Sequence, residues 1–531
     1  MNDRAVNHRA VDDRAVDDRA TDDRALDDAA APAGEPAPLV ALRSPPGAAL
    51  VAATVLASMV AFLDAAVVNV AVPAIQDGLQ ASVSGVQWVV AGYLLTAAAL
   101  LLPAGALIDS FGRRGVLVTG LLVMLAASLL CAIAPTIGTL VAARLLQGVG
   151  AALVVPSALA LLNGTLRIPD RARGIGVWAA LATLGMTLGP YAGGWLVDTT
   201  SWRYLFLLNV PLVLATLWVL RLVPRTAGAR RPVSFDVAGA GLAVVGLGGV
   251  VYALMAGPAA GWLGPRVLVA GVAGVLCLAA LVPVERRRRD PMLRLSLFRS
   301  RQFDAINVTT VLLYGALSAA AYLVVLQVQL QLGYSAAQAG AVLIPEAAVF
   351  LVLSPVVGGL VGRVGSRRLM VAGILCVSGS FLWLSTVSVG DGYAQGLLPG
   401  ALLWGVGLAL TVAPLTAAVL AAVSDDDLGE ASAVNDAAAR IGALLLVALV
   451  PVLVGVGGGE LGPALADGYR PAMLVMTGLA LAAAVVTALF VSDRPTAPPG
   501  PAPVPRVLPH PMVDVCAVPD RGRPLATSGR R

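Results

Sequence analysis

The sequence predicts an all-α integral membrane protein with fourteen transmembrane helices, and three observations predict it. The 531 residues are 58% hydrophobic and 13% charged, with a mean hydropathy of +0.85, which is more apolar surface than a water-soluble fold can bury. Apolar runs long enough to cross a bilayer core, which takes about 20 helical residues, recur along the chain. Arginines concentrate in every second connecting loop, the signature of a chain threaded back and forth through a membrane.

The chain begins with a polar tail, 1–47. Its first 30 residues repeat units such as "VDDRA VDDRA TDDRA", too charged to bury anything, so disorder is expected. No apolar stretch follows a basic start, so a signal peptide is not expected. A tandem DNA repeat, or a start codon placed too early, accounts for the unit without any function.

Spanning segments follow at approximately 48–73, 83–107, 114–133, 138–163, 173–197 and 203–223, which make a first group of six. Two more run over 235–256 and 265–284, followed by an Arg-rich loop, 285–302. A second group of six spans 303–330, 338–361, 368–389, 395–422, 437–457 and 471–492. The tail from 493 to 531 contains "RPTAPPGPAPVPRVLPHP", whose prolines again predict disorder.

The loops after even-numbered segments are "DSFGRR", "RIPDRAR", "PRTAGARRP", "ERRRRDPMLRLSLFRSR" and "GRVGSRR", while the intervening loops hold few arginines, such as Arg203 and Arg266. The positive-inside rule makes the Arg-rich side cytoplasmic, together with both termini. "SDDDLGE" at 424–430 is an acidic exception of little weight. An internal repeat runs through two of these loops. "GALIDSFGRR" from Gly105 aligns without gaps with "GGLVGRVGSR" from Gly358, so Gly105 meets Gly358, Gly112 meets Gly365 and Arg114 meets Arg367. Two six-helix halves with a two-helix insertion explain the repeat, and such proteins place substrate between the halves.

Several chemistries are excluded. All 36 basic residues are Arg, so no Walker A lysine exists. His8 and His510 are the only histidines, and both lie in the tails, leaving no His-based metal or hydrolase site inside the membrane. The net charge of +5 is spread over short loops, which fits topology rather than nucleic-acid binding. Cys131, Cys277, Cys376 and Cys516 show no paired spacing and read as small core residues. No cofactor and no metal is expected.

Ionisable side chains at membrane depth are functional candidates by default. Asp64 lies about 13 Å from the outer end of its helix, Arg144 about 9 Å and Glu346 about 12 Å, at 1.5 Å rise per residue. An Asp and an Arg at similar depth can neutralise each other, and a proton on the Asp would release the Arg. A purely structural ion pair is the alternative. Glu346 is either a second proton site or counter-charge for a cationic substrate, or simply an acid at the helix start that Pro345 creates. Gln147, one turn after Arg144, shares its face; Gln327, Gln329 and Gln331 spread around the end of their helix. Tyr93 and Trp88 are candidate drug-site aromatics, with interface anchoring an equal account of Trp88. Gly185, Gly189 and Gly193 recur every four residues, predicting a closely packed seam against the second half, beside a Pro190 that removes one backbone donor.

Six motifs in order carry a resemblance: "LDAAVVNVAVP" from Leu63, "GALIDSFGRRG" from Gly105, "RLLQGVGAA" from Arg144, "LGMTLGPYAGG" from Leu184, "WRYLFLLNVP" from Trp202 and "LQLGYSAAQAG" from Leu330. Over about residues 48–492 the chain resembles the fourteen-helix drug:proton antiporter branch of the major facilitator superfamily. The resemblance implies that fold, export of amphipathic compounds through alternating access, proton coupling through Asp64 and Arg144, and a cavity role for Gln329. It also implies that Gly105, Asp109, Gly112, Arg113 and Arg114 form a gating loop, and that Gly185, Gly189, Pro190, Gly193 and Gly194 form the antiporter motif. Two departures stand out: Ser110 replaces a basic residue of the gating loop, and Gly362 stands at the Asp position of the second copy. The expected protein is a bacterial, multi-pass cell-membrane monomer that handles a small organic substrate and protons. An uptake symporter, or a membrane enzyme or sensor, are the alternatives.

Overall fold

The computed structural model describes residues 39–224, 236–288, 294–424, 427–455 and 461–493. The repeat tail before residue 39, the Pro-rich tail after 493, His8, His510 and Cys516 lie outside the described residues. Among the described residues thirteen helices are long and apolar enough to span a membrane, and one bent pair raises the number to fourteen.

We label them α1 (Pro45–Leu79), α2 (Val83–Ala99 with Leu101–Phe111), α3 (Arg113–Ala132), α4 (Ile137–Thr165), α5 (Ile168–Thr199), α6 (Arg203–Leu220), α7 (Val237–Ala260) and α8 (Pro265–Arg287). The rest are α9 (Arg301–Leu330), α10 (Ala336–Val364), α11 (Ser366–Leu384), α12 (Tyr393–Ala421), α13 (Leu428–Val450) and α14 (Gly462–Phe490). α1 passes through one 3-10 turn, Val68–Ala71, just after Asp64. α2 bends by 51°, and the cause is local: Pro103 cannot donate to the Ala99 carbonyl, and its ring crowds that carbonyl. α13 and α14 start about nine residues before the apolar runs that announce them, because a helix backbone need not stop where hydropathy does; Glu430 sits in the first turn of α13, where the dipole favours an acid.

The two aligned loop glycines adopt one conformation. Gly112 has φ 86° and ψ 142°, and Gly365 has φ 91° and ψ 149°, a left-handed corner that only glycine takes without strain. Each is followed directly by the next helix, so the sequence repeat is also a repeat of backbone geometry.

The packing differs between the two ends of the bundle. Away from the Arg-rich loops, one apolar core joins both halves, running from Val67, Ile75 and Val89 to Leu323, Phe381, Trp404 and Met476. Toward the Arg-rich loops that core divides. One cluster there belongs to α1–α6, with Leu50, Leu117 and Leu162, and another is built by the second half, with Phe303, Met370 and Leu415, and is reached from α2 by Leu102. Gly105 and Gly358 have no atom within 4 Å of where a Cβ would stand. The halves are therefore sealed together at one end and parted at the other.

Candidate functional site

The seal is built by α5. A Cβ on Gly185 would stand 2.6 Å from Met59, one on Gly189 3.3 Å from Leu63, and one on Gly193 would overlap Val67. Spacing of four thus puts the three glycines against α1, inside the first half, and not against the second half as the sequence suggests. The second half is met by the neighbouring face. A Cβ on Gly194 would stand 2.5 Å from Ala337 N, and one on Gly340 would stand 2.7 Å from Tyr191 N and overlap the Pro190 carbonyl. Just beyond, Asp198 at the end of α5 accepts hydrogen bonds from Ala336 N at 3.0 Å and Ala337 N at 2.9 Å, across the two halves.

Behind this seal, on the other side of α1, lies a polar network without solvent. Asp64 and Arg144 are 0% and 1% exposed, and Arg144 Nη1 donates to Asp64 Oδ2 at 2.5 Å. Asp64 Oδ1 accepts from Gln147 Nε2 at 3.1 Å and from Asn209 Nδ2 at 2.7 Å. Ser128 Oγ receives the same two amides, at 2.9 Å and 3.1 Å. Arg144 Nη1 also donates to Gln147 Oε1 at 2.8 Å, and Arg144 Nε to the Val89 carbonyl at 2.9 Å. Tyr93 lies with its ring centroid 4.5 Å from the guanidinium carbon, and its hydroxyl donates to the Ala61 carbonyl at 2.8 Å. Charged groups survive in a low-dielectric interior only when such donors and acceptors are supplied on all sides. Five helices, α1, α2, α3, α4 and α6, supply them, and all belong to the first half.

Asp64 Oδ1 already accepts two donors and Oδ2 the guanidinium, so a proton arriving on Oδ1 must displace an amide and one arriving on Oδ2 weakens the ion pair. Arg144 would keep Gln147 Oε1 and Val89 O after losing the carboxylate, so the network has a second arrangement available that leaves no guanidinium bare.

Asp64, Arg144 and Gln147 therefore meet, whereas Glu346 stands apart in the second half. The helix of α10 is interrupted at Val342–Leu343 and resumes at Ile344, with Pro345 and Glu346 in its first turn. Among the described residues Glu346 makes no side-chain hydrogen bond or ion pair, and Gly405 of α12 packs on its carbonyl. Tyr93 is buried rather than open to a cavity in this conformation, because its ring and hydroxyl are both used to hold Arg144 and α1. Gln329 is partly buried with its Nε2 unpartnered, while Gln331 donates to the Gly462 carbonyl at 2.7 Å. In the gating loop, Asp109 is exposed and makes no ion pair among the described residues. Arg114 donates to the carbonyls of Val223 at 2.7 Å and Leu220 at 2.8 Å, tying down the end of α6, and Arg113 lies over Gly164. Cys131, Cys277 and Cys376 are free; Cys131 Sγ donates to Gln147 Oε1 at 3.2 Å. Ser128, Asn209 and Asp198 are not singled out by sequence patterns. Ser128 and Asn209 each give one signal, a single polar residue in an apolar run. Among the described residues no group of His, Cys, Asp and Glu could hold a metal.

Two repeated helical halves, sealed at one end and parted at the other, with a buried charge network inside the first, have the architecture of a membrane transporter. The sequence profile of the Major Facilitator Superfamily matches residues 54–243 and 306–527, and the chain belongs to that superfamily. It is 35% identical over 395 residues to the multidrug resistance protein Stp of Mycobacterium tuberculosis, covering 74% of this chain and 73% of that one. It is 33% identical over 461 residues to the tetracenomycin C resistance and export protein of Streptomyces glaucescens, covering 87% and 85%. A crystal structure of a D-xylose–proton symporter shares the fold, with a TM-score of 0.61 at 15% identity over 84% of this chain and 98% of the other.

Proposed function

We propose that this transporter is a proton-coupled exporter of amphipathic organic compounds across a bacterial cell membrane, with the Arg-rich end and both termini cytoplasmic. The observation that carries the coupling is the solventless Asp64–Arg144 pair held by Gln147 and Asn209. A carboxylate buried this completely and engaged on both oxygens is a costly way to fold a helical bundle, and protonation gives it a use. The drug-resistance and export names of its relatives support the export direction. The positive-inside rule supports the orientation, which makes the conformation described here open to the cytoplasm. Asp109, Arg113 and Arg114 bridge helix ends in the opposite conformation, where each hydrated pair contributes about 0–1 kcal/mol, enough to bias two nearly equal states. Glu346 and Gln329 face substrate from the second half, Glu346 as a counter-charge for cations. The protein works as a monomer.

The test is pH-gradient-driven movement of dyes and drugs in proteoliposomes, measured in both directions. Export of a panel compound that collapses with the gradient, and that Asp64→Asn removes at normal protein level, is the expected result. Unchanged gradient-driven export by Asp64→Asn would sink the coupling role, and accumulation in the reverse direction would make the protein an uptake symporter. Glu346→Gln is expected to lose cationic compounds selectively.

A further inference from the structure

The two inserted helices, α7 and α8, have no part in the site above, yet they close one side of a cavity of about 570 Å³. Its walls come from both halves and from the insertion: Leu102 of α2, Leu247 of α7, Leu278 of α8, Val308 of α9 and Ile441 of α13, with Phe298 at its edge. The lining is almost wholly apolar, and its volume falls in the range of drug-sized sites, about 300–1,000 Å³. It lies toward the Arg-rich end, where the halves have parted.

Two polar side chains from α9 enter this lining. Asn307 is committed: its Nδ2 donates to the Phe303 carbonyl at 2.9 Å, and its Oδ1 accepts from Asn435 Nδ2 at 3.1 Å. Asp304 is not. Its Oδ1 is out of solvent and has no hydrogen-bond partner. Arg299 and Arg301 flank it in sequence, but among the described residues Asp304 forms no ion pair, whereas Arg294 pairs with Asp427 and Glu430 and Arg440 pairs with Asp436. An acid in the first turn of a helix is ordinarily explained by the helix dipole. That account does not explain why one oxygen is covered and left without a partner, which carries a desolvation penalty, in a side chain that lines an apolar crevice.

We propose that this crevice is a docking site for lipophilic amines that enter sideways from the membrane leaflet at the Arg-rich end, with Asp304 receiving the ammonium group. An apolar body with one cationic head matches the apolar lining and gives the Asp304 carboxylate the counter-ion it lacks among the described residues. A neutral body leaves the carboxylate unpaired, and an anion is repelled by it. The insertion supplies one wall of the site, through Ala243, Leu247, Leu278 and Leu281, which gives α7 and α8 a role in recruiting substrate. It builds on the export reading for the direction of travel, but binding itself does not depend on it.

The full-length protein in phosphatidylcholine nanodiscs, without any gradient, is photolabelled with a diazirine-bearing tertiary amine and with its neutral amide isostere, and the labels are mapped by mass spectrometry. Expected are labels on α8 and α9 around Leu278 and Val308, with amine affinity falling about tenfold or more in Asp304→Asn, as for loss of one charge-assisted contact, and amide affinity unchanged. Val308→Trp, which keeps Asp304 and fills the crevice, should remove both labels while the elution profile stays that of the parent. Labelling elsewhere, equal amine affinity in Asp304→Asn, or a co-purified phospholipid in the crevice that the amine does not displace would each overturn the proposal. Gradient-driven export is scored separately: binding without export would refute the export reading alone, and export with amine binding indifferent to Asp304 would refute the docking site alone.

Discussion

Gly194→Ala adds one methyl group to α5 and is expected to change which state the transporter occupies. The new Cβ would stand 2.5 Å from Ala337 N and overlap the Ala336 carbonyl, where ordinary contact is 3.4–4 Å. The obstacle is backbone on the facing helix, so no rotamer change relieves it, and α5 and α10 must separate by about 1 Å or more at that end. Overpacking of this kind costs about 1–3 kcal/mol, which, acting on one of two states, shifts their ratio about 5- to 150-fold. Helix propensity works in the other direction, since alanine is the better helix former by about 1 kcal/mol, so a change in conformation cannot be put down to a weakened α5. Spin labels at Thr199 and Gln338 report the sealed end, and labels at Ile168 and Arg363 report the parted end. The first distance should lengthen and the second shorten in Gly194→Ala. Gly176→Ala, on the same helix with nothing within 4 Å of its Cβ position, should move neither. Distances unchanged in Gly194→Ala would show that this contact does not hold the seal.

Asp64→Leu leaves the Arg144 guanidinium buried without a counter-ion and is expected to destabilise the protein by about 3–5 kcal/mol. The double variant Asp64→Leu with Arg144→Met should recover about 2 kcal/mol of that in SDS titration, and additive single effects would refute a mutually dependent pair. Asn209→Leu removes one of the two amides on Asp64 Oδ1 and should cost about 1.5–3 kcal/mol, read in the same titration. Asp198→Ala should leave α10 intact, because Ser335 and Gln338 cap its start reciprocally. It should also raise the labelling rate of a cysteine at Thr199 by loosening the seal, and an unchanged rate would remove Asp198 from it.

The number of helices and the repeat are legible in the sequence because lipid demands long apolar runs and the loop corner demands glycine at 112 and 365. The ends of α13 and α14 are not, since Glu430, Asp467 and Arg470 interrupt the hydropathy signal while the backbone continues helical through them. Matched depth is enough to pair Asp64 with Arg144. It gives no rotational setting, so Asn209, which donates to Asp64, and Ser128, which receives the amides of Gln147 and Asn209, emerge only from the packing of α3 and α6. The same limit applies to the antiporter glycines: a period of four shows that three share a face, but the neighbour of that face is decided by how α1 and α5 cross. Tyr93 illustrates the converse, an aromatic that looks available for ligand and is spent on holding an arginine.

Met59, Leu63 and Val67 of α1 press into the glycine face of α5, while Pro190 and Gly194 on its flank press into α10, and Asp64 follows Leu63 in the chain. On the α10 side backbone meets backbone, on the α1 side short side chains meet glycine, and close-packed interiors of this kind resist compression. The three helices therefore stand as parts in series, like meshed gear teeth: a shift of α1 at the carboxylate is passed to α5 through Met59, Leu63 and Val67, and from α5 to the other half of the molecule through Pro190 and Gly194.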